Sequence, residues 1–363
     1  MKKLLSCVIC FSLILTTLTA CNEKEPAESS ISETVTSEET SASATDETTE
    51  ATSASEESEV VRWFTFNPKV TSTFASDIYG QIKVDAWFNL VDAVMAGEDT
   101  FECPDKHTYL WVIAEFPDRY FPVLHNIIKT PDNYLEIDVN GTAPIEYKVS
   151  KEEAASMIAD FTQLVEDIIN ENVRPEYGDF EKALALYNYF ATAYTYDYDT
   201  MRAIESDASS VNYTCSYRLM STKTGVCSEI AKAYSYLLMQ LGMEATTVCS
   251  DKHEWSLIKL GDDYYHIDPT WVLNDWYSME YFMMTDEQRC NEGDYNKDEF
   301  VYVGDYHPEE GPDYSATNDV FSSMWDTHVS SFDPETDTME YSRYIEAEDD
   351  LTYGTFDYSV VEE

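Results

Sequence analysis

Between Thr224 and Trp271 the apolar pattern changes from a helical to a strand period without a long linker, and this switch constrains the fold more than any other feature of the chain. Ile230, Ala233, Tyr234, Leu237, Leu238 and Leu241 recur at three- and four-residue spacing and Gly242 supplies a stop, which predicts a helix beginning at Cys227. Two runs rich in aromatic and branched residues follow, His253 to Leu260 and Tyr264 to Trp271. They flank Gly261-Asp262-Asp263, a strong hairpin signal.

Cys227 lies at the start of the predicted helix, directly after Gly225-Val226. Backbone N–H groups without intrahelical partners point out of a first helical turn, and the helix dipole favours an anion there, so a thiolate is stabilised. A cysteine so placed is either a packed structural residue or a nucleophile, and a nucleophile needs a base. His253 opens the first strand and Asp268 lies near the end of the second, so closing the hairpin brings them to the same end. Alternation leaves Tyr264, His266 and Asp268 on one face. If that face meets the helix start, the chain holds a thiol, an imidazole to share its proton and a carboxylate to hold the imidazole in one tautomer. His266 reads as a packed strand residue. The backbone N–H of Cys227 is a candidate donor to a developing oxyanion.

These residues carry a resemblance. Gly225-Val226-Cys227 opening a helix that ends Leu241-Gly242-Met243, then His253-Glu254-Trp255, then Tyr264 to Trp271 with Asp268-Pro269-Thr270, is similar to the transglutaminase-like superfamily. Tyr194 to Asp199 and Tyr281 to Arg289 resemble flanking segments, and the resemblance covers about residues 175 to 290. It implies a papain-like α+β core and a catalytic triad of Cys227, His253 and Asp268, with acyl transfer on amide bonds through a cysteine thioester and no cofactor. Tyr196 and Tyr198, by position in that pattern, and Trp255 are oxyanion or substrate candidates. Trp255 and Trp271 also have ready core roles in the strands. Ser228-Glu229 and Ser256 depart from the commoner residues at positions that the resemblance places beside the substrate cleft.

The rest of the chain sets the context. Lys2-Lys3, the apolar run from Leu4 to Leu15 and Leu18 to Cys21 read as residues 1–21 of a lipoprotein signal, with Cys21 lipidated after cleavage. Residues 22–59 contain almost no large apolar side chains and read as a disordered acidic tether. Together they predict a protein held by lipid on the extracellular face of a bacterial cell membrane. Residues 60–149 are expected to form a small α+β domain, with strands at the start, at Tyr109 to Phe116 and in a hairpin of Tyr134 to Val139 and Ile145 to Val149. A helix from Val84 to Ala96 is stopped by Gly97. The catalytic domain spans 150–290, opening with a helix capped by Ser150 and Glu153 and continuing through one capped by Asp179. Residues 291–363 hold 21 acidic and 2 basic residues yet keep enough aromatic side chains to clamp onto a core. Asp294 to Glu299 reads as a solvated loop rather than a calcium site, since it lacks the glycine and distal glutamate of an EF-hand.

A net charge of −48 excludes nucleic acid as a partner, because phosphates would be repelled. The charge favours lysine-rich proteins, amines or divalent cations, or else serves only to keep a surface protein soluble, and the thiol-enzyme reading adds a protein or peptide substrate with a Lys-rich or amine acceptor. No HExxH and no paired CxxC occurs, so no metal is assigned, and the mature cysteines Cys103, Cys215, Cys249 and Cys290 are expected to be free thiols. The alternative to a thiol enzyme is a non-catalytic adhesion or ligand-binding module on the same fold.

Overall fold

The computed structural model describes residues 62–131, 137–207, 213–250, 253–302 and 312–359. The signal, Cys21 and the tether lie outside these residues. Among the described residues no helix is long and apolar enough to cross a membrane.

The first stretch is more helical than its sequence suggests. Arg62 to Asn67 forms no strand; it runs extended along the helix Lys151–Asn172, where Asn170 Oδ1 accepts from the N–H groups of Trp63 and Phe64 at 2.8 and 2.9 Å. Gln81–Met95 is the expected helix, with Gly97 in the left-handed region just beyond it. The expected strand at Tyr109 to Phe116 is instead a helix, Lys106–Ala114. Asp105 caps it by accepting from Thr108 N at 2.9 Å, and a short apolar run cannot distinguish the two states by period. Asn140-Gly141 is not a hairpin turn among the described residues, and Tyr134 to Glu136 of the expected hairpin lie outside them. β1 (Thr100–Asp105) pairs antiparallel with β2 (Asn140–Pro144), so these residues enter a strand rather than a turn.

From Ser150 onward the expectations hold more closely. Ser150 Oγ accepts from Glu153 N at 3.1 Å at the head of Lys151–Asn172. The next helix, Asp179–Ala193, is capped by Gly178, and Asp179 is its first residue. β3 (Thr195–Tyr196) and β4 (Thr224–Gly225) form a short parallel pair that leads into the cysteine helix, Cys227–Gln240. β5 (Ala245–Cys249), β6 (Glu254–Leu260) and β7 (Asp263–Ile267) follow, and with β8 (Val301–Tyr302) they make an antiparallel sheet of order β7-β6-β5-β8. The cysteine helix packs across β5 and β6, which gives the α+β core its two layers.

β9 (His328–Asp333), β10 (Thr338–Ile345) and β11 (Asp350–Asp357) form a separate antiparallel meander. It is tied down by Tyr358, which is fully buried, stacks on Phe180 at 4.6 Å and donates to Glu181 Oε1 at 2.8 Å. One continuous buried cluster runs from Trp87 and Phe116 through Phe161 and Tyr236 to Phe282 and Tyr358. Residues from the first stretch and from the acidic C-terminal stretch therefore share the core of the middle one.

Candidate active site

Gly225 explains how the cysteine helix begins. A Cβ there would lie 2.8 Å from Leu219 Cδ1 and 2.9 Å from Glu229 Oε2, so only glycine lets the chain pass. Glu229 is fully buried and organises the turn. Its carboxylate accepts from Val226 N at 2.9 Å and Cys215 N at 2.8 Å, and it pairs with Arg218, which also reaches Asp197 at 2.8 Å. A buried carboxylate is tolerated when it is this fully matched. Glu229 therefore lies inside the wall rather than beside a cleft. Ser256 is likewise buried, accepting from Ser235 Oγ at 2.9 Å and donating to Ala231 O at 3.1 Å, so it holds the helix to β6 instead of bordering substrate.

Cys227 sits at the first position of its helix, 9 % exposed. The hairpin closes in the register Ser256↔Ile267, which sets His253 and Asp268 at one end. His253 Nε2 lies 2.6 Å from Asp268 Oδ2, and the same imidazole is hydrogen-bonded to the Cys227 side chain. With Nε2 engaged by the carboxylate, Nδ1 is the nitrogen left for the thiol. Asp268 is fully buried; its Oδ1 accepts from Thr270 N at 3.1 Å and its own N–H donates to Tyr281 O at 2.9 Å. Burial works against a charged His253, but the Asp268 carboxylate and then Cys227 outweigh it and raise the imidazole from its ordinary 6.5 to about 10. Burial likewise opposes the Asp268 charge, and His253 and Arg289 together hold that carboxyl below its usual range.

The remaining sequence candidates separate clearly. The Tyr196 hydroxyl is hydrogen-bonded to both the backbone N–H and the side chain of Cys227, and burial and that cysteine push its own ionisation well up. Tyr198 is 66 % exposed and touches Tyr196, ring to ring at 5.0 Å, at the rim. Trp255 is corrected: it is fully buried, its ring lies behind His253 at 6.0 Å, and its Nε1 donates to His266 Nδ1 at 2.9 Å. It cannot meet substrate. His266 is a core residue, accepting from Trp255 and donating through Nε2 to Asp286 Oδ1 at 2.9 Å.

Trp271 is corrected in the opposite sense. Pro269 ends β7 and a short 3₁₀ turn, Pro269–Val272, replaces the end of the strand, which turns the Trp271 ring out to 55 % exposure, 5.6 Å from His253. Three contributors were missed in the sequence. Arg289, on the helix Asp286–Gly293, donates from Nη2 to Asp268 Oδ2 at 2.9 Å; Asp286, one turn earlier, holds His266; and Tyr295 stacks over Trp255 at 5.4 Å and near His253 at 6.4 Å. Tyr295 lies inside the segment expected to be a solvated loop, and Lys297 beside it pairs with Asp286. The only signal was the spacing of Asp286 and Arg289, which puts an acid and a base on one face of a helix.

Residues 163–280 match the transglutaminase-like superfamily. The chain carries a transglutaminase-like core domain. No curated protein matches the chain closely enough to be counted a relative. The match to the transglutaminase-like core takes in Cys227, His253 and Asp268 and stops before Arg289 and Tyr295. Among the described residues no group of three or more His, Cys, Asp or Glu is arranged to hold a metal ion. None of the five described cysteines is in a disulfide; Cys103 and Cys215 are buried, and burial pushes their thiols up to about 11 and about 12.

Proposed function

We propose that this protein is a thiol enzyme performing acyl transfer on amide bonds, with Cys227 as nucleophile, His253 as general base and acid, and Asp268 as the group that orients His253. The observation that carries the reading is the continuous chain from thiol to imidazole to buried carboxylate at a helix start, with 2.6 Å between His253 Nε2 and Asp268 Oδ2. Cys227 Sγ, its proton passed to His253, attacks the amide carbonyl carbon. The tetrahedral oxyanion collapses, the C–N bond breaks, and His253 returns the proton to the leaving amine. Water or an amine then resolves the thioester. The Cys227 N–H and the Tyr196 hydroxyl are the donors nearest to the developing oxyanion, which requires Tyr196 to give up its present hydrogen bonds to the cysteine.

Trp271 and Tyr198, the exposed rings on either side of the thiol and imidazole, form the walls a peptide would meet. The proposed location is the outer face of a bacterial membrane, anchored through lipidated Cys21, as the sequence of residues 1–21 suggests. Labelled palmitate entering the wild-type protein but not Cys21→Ser would support it, and equal entry into both would exclude it.

The main test is a limiting dose of a thiol-directed probe at neutral pH followed by peptide mapping. Cys227 is expected to be labelled first, since Cys103 and Cys215 are held protonated by burial. Cys227→Ala is expected to keep the native circular dichroism spectrum and lose all amide cleavage or transfer. Labelling that favours Cys249 or Cys290, with Cys227 protected, would sink the assignment and leave the binding-module reading.

A further inference from the structure

We propose that Arg289 is a positioning residue for the Cys227–His253–Asp268 group, holding Asp268 Oδ2 toward His253 and offsetting its charge so that the imidazole can release its proton as well as hold it. The inference rests on reading these three residues as the reactive group.

Arg289 has no exposed surface, and burying a guanidinium is costly unless a counter-charge meets it. Among the described residues its one ion pair is with Asp268, at 2.9 Å. The contact is not the bidentate form frequent in arginine–carboxylate pairs, in which two parallel N–H groups span both carboxylate oxygens. Nη2 meets the same oxygen that takes His253 Nε2, and the guanidinium is also hydrogen-bonded to the Tyr295 side chain. Arginine and histidine thus share a single acceptor atom. The guanidinium is steered there by rings, with its central carbon 4.4 Å from the Trp255 ring and 4.7 Å from the Tyr295 ring. Its own helix is fixed from below by Asp286, which holds His266, which in turn holds Trp255. The Trp255 ring therefore packs against both His253 and Arg289.

Electrostatics give the arrangement its consequence. Asp268 and Cys227 raise the imidazole to about 10 even with Arg289 in place, and a carboxylate with no cation beside it would hold the imidazole's proton more tightly still. A cation on the far side of the same oxygen weakens that hold. The other titratable groups facing this pair are Cys227 from its helix, Tyr196 from β3, Tyr187 from Asp179–Ala193, Tyr281 from the segment after β7, and Tyr295. Burial raises all four tyrosines, which favours their neutral forms, and of the nearby carboxylates Glu280 faces Tyr187 and Tyr281 while Glu292 faces Tyr281. Arg289 is accordingly the one permanent cation in contact with Asp268 among the described residues.

The test is a ¹⁵N-histidine NMR titration of His253 in the Cys227→Ala background, which removes the coupled thiol and needs no turnover. Arg289→Gln is expected to raise the His253 midpoint by about one unit or more, and Arg289→Lys, which keeps the charge, to leave it within about half a unit. Asp268→Asn is expected to drop it below the ordinary 6.5, because Arg289 then faces the imidazole with no carboxylate between them. An unchanged midpoint in folded Arg289→Gln, an equal rise in Arg289→Lys, or a midpoint at or above 6.5 in Asp268→Asn each overturns the proposal. Should Arg289→Gln fail to fold, the other two variants decide. A protein inert toward amides that still shows these shifts would sink the acyl-transfer reading alone.

Discussion

His253 is held between Asp268 and Cys227, and the direction of its shift sets a pH dependence. Its folded-state pKa is raised, so the stability it contributes is fully present below about 6.5 and is lost as pH rises through about 10. The same proton is the one given to the leaving amine. The alkaline limb of amide turnover is therefore expected near pH 10, well above that of an ordinary imidazole. Asp268→Asn removes the largest favourable charge beside it and is expected to move that limb down by more than about one unit, with a fall in turnover of about a hundredfold or more from loss of the oriented tautomer. A pH–rate profile of both proteins checks this; an alkaline limb at the same pH in the two would show that Asp268 does not set it.

At the scale of elements, the turn from β4 into the cysteine helix concentrates close packing and buried charge. Gly225→Ala forces a methyl against Leu219 and Glu229 and is expected to cost about 1–3 kcal/mol, read as a lower urea midpoint with an unchanged slope. Glu229→Ala leaves two buried N–H groups without an acceptor and Arg218 with Asp197 alone, and is expected to cost more, about 3–5 kcal/mol. If the two variants lose equal stability, the network is not what anchors the turn. The helix and hairpin around this turn were legible in the sequence because each has a clear period and a glycine stop, and the end-to-end meeting of His253 with Asp268 follows from hairpin closure alone. The exchange of roles between Trp255 and Trp271 was not legible: alternation assumes the strand continues to Trp271, whereas it ends at Ile267, ahead of Pro269 and of the Asp268 side chain bonded to Thr270 N. Arg289 and Tyr295 were hidden for another reason. They reach the site from a later helix and loop whose residues carry no apolar period, so only the three-dimensional closure reveals them.

Across the whole molecule the dominant quantity is the charge of −48, which bears on what resolves the thioester. Water needs no binding site, and the rings exposed at the candidate cleft, Trp271 and Tyr198, form an open rim; this favours hydrolysis as the intrinsic outcome. The field of the protein works the other way. A strongly negative surface raises the local concentration of lysine side chains and polyamines, and so favours transfer to an amine. Which effect wins depends on the reach of the field, about 30 Å at 0.01 M salt but about 8 Å at 0.15 M, where only charges close to the cleft still act. Glu280 and Glu292 are close, next to Tyr281, whose ring stacks on Trp271 at 6.1 Å, so part of the attraction survives screening. Hydrolysis is expected to exceed transfer at physiological salt, and the ratio of transfer to hydrolysis with a labelled diamine is expected to rise several-fold at 0.01 M salt. Hydroxylamine, an uncharged nucleophile at neutral pH, is expected to show no such rise. The experiment is a glutamine-containing peptide library offered with each nucleophile at both salt concentrations, scored by mass spectrometry and controlled with Cys227→Ala. Amine incorporation exceeding hydrolysis at 0.15 M salt would reverse the preference, and an equal response of both nucleophiles to salt would remove the electrostatic explanation for it.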